Sequence, residues 1–120
     1  MSKVAEPGLT GPWLAQRLGI DPVALDVRRR AGEVFAVLPE GSPDWVYPAW
    51  QFDEEMRIKA EVERALAAAR EAGLAPAQLE ALLTRRVGLA GGESMRDVLL
   101  RGDAEPLIGA IRQDAGRRAT

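Results

Sequence analysis

The stretch from Gly11 to Arg30 constrains the fold more than any other part of this sequence, because it spells two short helices and the turn between them. Thr10 is placed to cap a helix over Gly11–Leu18, with Pro12 in the first turn, where a missing N–H costs nothing. Leu14 and Leu18, four apart, share its inward face. Gly19 ends that helix, and Asp21-Pro22 opens a second one that runs to about Arg30 or Ala31, with Asp21 as N-cap and Pro22 at the first helical position. Two helices that cross at a steep angle need a small residue at the crossing, and Ala15 supplies it. They need a residue that tolerates positive φ at the turn, and Gly19 supplies that four residues later. Leu14, Leu18, Ile20 and Leu25 are the apolar contacts that lock the pair. The pattern reads as a helix-turn-helix; an ordinary helical hairpin inside a helical core is the competing arrangement of the same residues.

After Gly32 the period changes. Val34-Phe35-Ala36-Val37-Leu38 is apolar and partly β-branched, Pro39 to Asp44 is a turn cluster, and Trp45-Val46-Tyr47 is a second short strand closed by Pro48. Two strands around such a turn form a hairpin, in the position of a wing. From Ile58 the chain turns helical again. Ile58, Val62, Ala65, Leu66 and Ala69 form one stripe of a helix ending at Gly73. Pro76 opens a further helix with Leu79, Leu82 and Leu83 facing in, and Gly88, Gly91 and Gly92 form a loop. Ser94 caps a short helix that Gly102 stops, and a last helix runs from about Ala104 to Gln113. The expected fold class is therefore mostly α: a helix-turn-helix with a short wing-like β-hairpin, followed by a small helical C-terminal unit. The expected divisions are a flexible arm over 1–9, the helix-turn-helix with its hairpin over 10–53, a helical dimerisation or partner-binding unit over 54–113, and a frayed tail over 114–120.

Composition removes most chemistries. The chain has 120 residues with no cysteine and no histidine, which takes away disulfides, thiolate metal sites, the commonest general base and the commonest transition-metal ligand. No catalytic residues, no metal site and no cofactor are expected. Glu54, Glu55, Glu61 and Glu63 read as solvated surface charges beside Lys59 and Arg64. The Gly-Leu-Ala-Gly-Gly run at 88–92 is a turn, not a phosphate loop, because no Gly-Lys-Ser/Thr follows it. No stretch is long and apolar enough for a membrane span, nor is there a signal-peptide core, so the address expected by default is cytoplasmic.

What remains is binding. A net charge of −2 is unlike the basic balance usual in nucleic-acid binders, but Arg28-Arg29-Arg30 is a local basic cluster at the end of the second helix. The positions of that helix that face a DNA groove are Asp21, Pro22, Val23, Asp26 and Val27. None is a Gln, Asn, Ser or Arg of the kind that reads base edges. Asp26 is expected to face phosphate unfavourably or to accept from cytosine N4. Arg28, Arg29 and Arg30 are left as phosphate or base contacts, with Arg17 of the first helix as a backbone contact. Among the aromatics, Trp50 and Phe52 are expected in a small core with Trp13 and Phe35, and Trp45 beside the turn is expected to be exposed.

The sequence WLAQRLGIDPVALDVRRRAGEVFAV, followed by YPAWQF, resembles the N-terminal half of small bacterial helix-turn-helix proteins of the Xre/MbcA/ParS antitoxin group, from about Thr10 to Asp53. GLAGGESMRDVLLRGDAEPLIGAIRQ, from Gly88 to Gln113, is similar to the toxin-binding domain of that group. The resemblance implies a regulator that binds duplex DNA, neutralises a RES-type toxin and represses its own operon. A homodimer through the helices after Ile58 is expected, since one such module makes few base contacts and pairing adds core. Met95 and Leu100 are the expected outer contacts to a partner protein, with Arg96, Arg101 and Asp103 on the rim. A plain dimeric helix-turn-helix regulator without a toxin, and a protein-interaction adaptor with a degenerate helix-turn-helix, are the alternatives.

Overall fold

The computed structural model describes residues 8–87 and 92–119. It is mostly helical, with a helix-turn-helix and a short two-stranded antiparallel sheet in one compact unit, Met1–Lys59, and a small helical C-terminal unit, Ala60–Thr120.

In the first unit, β1 (Gly8–Thr10) leads into α1 (Gly11–Leu18), α2 (Pro22–Arg30), β2 (Val46–Pro48) and a single 3₁₀ turn at Ala49–Gln51. The Thr10 hydroxyl accepts from Trp13 N–H, and the Asp21 carboxylate accepts from Val23 N–H, so both helices start where their caps place them. Gly19 takes φ 71° and donates to the Gln16 carbonyl, while Ile20 donates to that of Ala15. This pair of bonds satisfies the last carbonyls of α1 as the chain swings into α2. Nothing lies within 4 Å of a Cβ built on Gly19, so its requirement is purely one of backbone conformation. Gly19→Ala should therefore cost about 1 kcal/mol, read as a shift in the denaturant midpoint with an unchanged slope.

The core beneath the two helices is Leu14, Ala15, Leu25, Val34, Ala36, Tyr47 and Phe52, with Leu18 and Ile20 packed against it. Two expectations are corrected here. The N-terminal arm does not run loosely to residue 9, because Gly8 and Leu9 belong to β1, which pairs antiparallel with β2 in the register Gly8↔Pro48, Leu9↔Tyr47, Thr10↔Val46. A Cβ on Gly8 would overlap the Val46 side chain, so the close approach of these strands requires glycine there. The Val34–Leu38 run, in turn, is not a full strand. It contributes one bridge, Val37↔Val46, with both backbone hydrogen bonds made at 2.9 and 2.8 Å.

The reason is Gln51. Its side chain is wholly buried; Oε1 accepts from Phe35 N–H at 2.9 Å, and Nε2 donates to the carbonyls of Phe35 (2.8 Å) and Pro48 (3.0 Å). One primary amide thus does for Phe35 what a neighbouring strand would do. Buried backbone groups must be paired, and a side chain of the right reach is enough. Residues 53–59 stay with this unit rather than with the helices that follow. Phe52 bridges Ile58, and Asp53 folds the loop by accepting from the N–H groups of Glu55 and Arg57. Those donors hold the Asp53 carboxyl below the usual carboxylate range.

The second unit contains α3 (Ala60–Ala72), α4 (Pro76–Thr84), α5 (Met95–Leu100) and α6 (Glu105–Ala119). Gly73 ends α3 at φ 70°, and Ser94 caps α5 by accepting from Asp97 N–H. The interior is built from Val62, Leu66, Leu79, Leu82, Leu83, Val98, Leu99, Leu107, Ile108 and Ile111. The last helix does not fray after Gln113 but continues to Ala119, with Asp114 and Arg117 paired one turn apart. Of the expected glycine loop at 88–92, residues 88–91 lie outside the described residues. No helix among the described residues is long and apolar enough to cross a membrane.

Candidate nucleic-acid interface

The second helix of a helix-turn-helix is the element that can enter a DNA groove, so the site is built outward from α2. With 3.6 residues per turn, Val23 and Val27 stand about 40° apart around the axis, each about 160° from Leu25. Leu25 is buried, and Val23 and Val27 are 68% and 55% exposed. Arg28 and Arg30 are also exposed, and Arg28 makes no salt bridge among the described residues. On α1, Arg17 lies over the ring of Trp13 at 5.3 Å, and both side chains are exposed. Arg17, Val23, Val27, Arg28 and Arg30 therefore stand where a ligand could reach them.

Arg29 and Asp26 do not match their expected roles. The Arg29 side chain is only 12% exposed; its NH2 donates to Asp26 Oδ1 at 2.7 Å, and its guanidinium covers the Trp45 ring at 4.3 Å from the centroid. It lies in the floor of a cleft of about 740 Å³ between the start of α1, α2 and the turn at Pro43–Trp45, next to Tyr47. Arg29 is thus a structural group of this unit rather than a phosphate contact. It is held there because a planar cation stacks well on indole and can pair sideways with a carboxylate. Asp26 is correspondingly not a bare acid facing DNA. Arg29 holds its carboxyl below the usual carboxylate range, and Arg30 approaches it at 3.7 Å. The acid stays ionised with its charge matched on the spot. Burial pushes the neighbouring Tyr47 phenol above its usual range, with Arg29 pulling the other way.

The aromatic side chains also divide differently from the expectation. Phe35 and Phe52 are buried, and Trp50 is half-buried with its ring 5.8 Å from that of Phe35. Trp13, expected in the core, is 44% exposed, and Trp45, expected outside, is half-covered by Arg29. Position along the chain could not order these two, since what covers Trp45 lies sixteen residues away on α2. Asp21 uses one carboxylate oxygen, Oδ1, to cap α2.

The candidate partner-binding residues of the second unit are changed in one important respect. Met95 is buried rather than outward, because the last turn before α5 is bound back by the Met95 N–H to the Arg85 carbonyl. Leu100 and Arg96 are half-buried; Arg101 and Asp103 are exposed, with Arg101 paired to Glu93 at 2.6 Å. The large apolar side chains that stand exposed among the described residues are Trp13, Val23, Val27 and Leu38, all of the first unit.

These features define a helix-turn-helix protein with a basic-rimmed, apolar-centred second helix. No protein-family model matches the chain, and no curated protein matches it. Among solved structures it is similar to the NMR structure of Rv2175c, with a TM-score of 0.72 over 96% of this chain and 85% of that one, at 18% sequence identity. At that identity the likeness bears on the fold alone.

Proposed function

We propose that this chain is a DNA-binding regulator that docks α2 in the major groove. The observation that carries this reading is the outward face of α2, where exposed Val23, Val27, Arg28 and Arg30 stand together while the nearby acid, Asp26, is neutralised by Arg29. Arg28 and Arg30 also suit the C-terminal end of a helix dipole on their own account. Their exposure is what leaves them able to meet phosphate, and Arg17 on α1 is the third cation for that backbone. A mixed-sequence duplex titrated with the full chain at low salt should bind, with affinity falling steeply and linearly on a log–log plot as salt is raised. A chain that binds no duplex even at low salt would remove DNA from this account.

The antitoxin role implied by the sequence resemblance is proposed as well, with the second unit neutralising a RES-type toxin and DNA binding by the first unit repressing the operon. With Met95 buried, its contact surface would be Arg96, Leu100, Arg101 and Asp103, more polar than the sequence suggests. Homodimerisation is proposed as the way two copies of α2 reach successive half-sites about 34–36 Å apart. The adaptor reading has one specific observation in its favour, the exposure of Trp13 beside α2, since an exposed indole is a common anchor for a protein partner.

A further inference from the structure

We infer that Val23 and Val27 read thymine C5-methyl groups, so that sequence preference in this protein rests on apolar contact instead of hydrogen bonds to base edges. The inference rests on the DNA-binding reading above and names the base feature that α2 recognises. Three observations support it. The two acids at the front of α2 are engaged within the protein, the N-cap Asp21 through Oδ1 with Val23 N–H and Asp26 with Arg29. The positions left at the centre of the exposed face, Val23 and Val27 with Ala24 beside them, are aliphatic. Exposed cations flank that apolar centre, Arg30 on one side and Arg28 on the other, which suits a groove walled by phosphates better than an apolar protein surface.

In the major groove only thymine displays an apolar group, the C5-methyl; adenine, guanine and cytosine show donors and acceptors there. Two valines one turn apart, separated by about 6 Å along the axis, can each cover one methyl on nearby base pairs. Covering a methyl is worth about a four-fold gain in affinity, so two contacts give roughly ten- to fifteen-fold.

The test compares the full chain on alternating A·T duplex with the same duplex carrying uracil for thymine, and on alternating G·C duplex with its 5-methylcytosine form. Uracil lacks the methyl, and 5-methylcytosine restores one at the same groove position. Affinity should drop by roughly an order of magnitude from A·T to A·U and rise from G·C to its methylated form. In a V23A/V27A variant, which changes exposed side chains and raises helix propensity, both ratios should fall to about one. Salt-dependent binding with equal affinity for A·T and A·U overturns the methyl inference and leaves DNA binding standing. Failure to bind any of these duplexes overturns both.

Discussion

Gln51→Leu should destabilise the first unit by about 3 kcal/mol, although leucine fills nearly the same volume. The substitution removes no apolar contact. It strips a side-chain partner from two buried backbone groups, the N–H and carbonyl of Phe35, and from the part-buried carbonyl of Pro48. Each such group left unpaired costs about 1–3 kcal/mol, while shape-conserving apolar exchanges elsewhere in a core usually cost less than about 1.5. The three tryptophans, Trp13, Trp45 and Trp50, all lie in this unit, so their fluorescence follows its unfolding by itself. Gln51→Glu is the informative companion. A carboxylate still accepts from Phe35 N–H but faces two carbonyls in place of two donations. The folded state raises its pKa, so the loss should be full at neutral pH and partly recovered as pH falls and the acid regains a proton to donate. A denaturant midpoint for Gln51→Leu within about 0.5 kcal/mol of the parent would mean that Phe35 does not depend on this side chain.

How much of this was legible in the sequence follows from the range of each interaction. The bounds of α1 and α2, the Thr10 and Asp21 caps, the Gly19 turn and the Ser94 cap are settled by residues within about four positions of one another, and all were readable. The pairing of Gly8–Thr10 with Val46–Pro48 joins segments far apart in the chain, and nothing local to Gly8 announces it. Gln51 reaches back sixteen residues to Phe35, so a polar residue between Trp50 and Phe52 carried no sign of being the most deeply buried polar group. Arg29 was indistinguishable from its neighbours for the same reason. In an Arg-Arg-Arg run only the helical phase relative to Trp45 decides which cation is stacked and which are free. In the second unit Met95, Val98, Leu99, Leu100, Leu107, Ile108 and Ile111 are more apolar surface than α5 and α6 can hide on each other alone. With α3 and α4 alongside, Met95, Val98, Leu99, Leu107, Ile108 and Ile111 are all buried and only Leu100 is half-exposed. A shortage of covering surface was therefore no guide to a partner.

That phase difference within one arginine run yields the second large effect. Arg28→Ala with Arg30→Ala should lower duplex affinity roughly a hundred-fold near 0.1 M salt, at roughly ten-fold per phosphate contact, with little change in stability because both side chains are exposed. Arg29→Ala should do the opposite. It uncovers Trp45 and frees the Asp26 carboxylate from its main partner, at a cost of about 1–2 kcal/mol in packing and cation–π contact. Its own removal should leave the number of phosphate contacts unchanged. The salt dependence of duplex binding separates these roles, since the log–log slope counts the phosphates neutralised while stability does not enter it. The slope of the Arg28→Ala/Arg30→Ala variant should be smaller than that of the parent by about 2, with the slope of Arg29→Ala equal to the parent's; equal slopes for the parent and the double variant would contradict a DNA-binding face on α2.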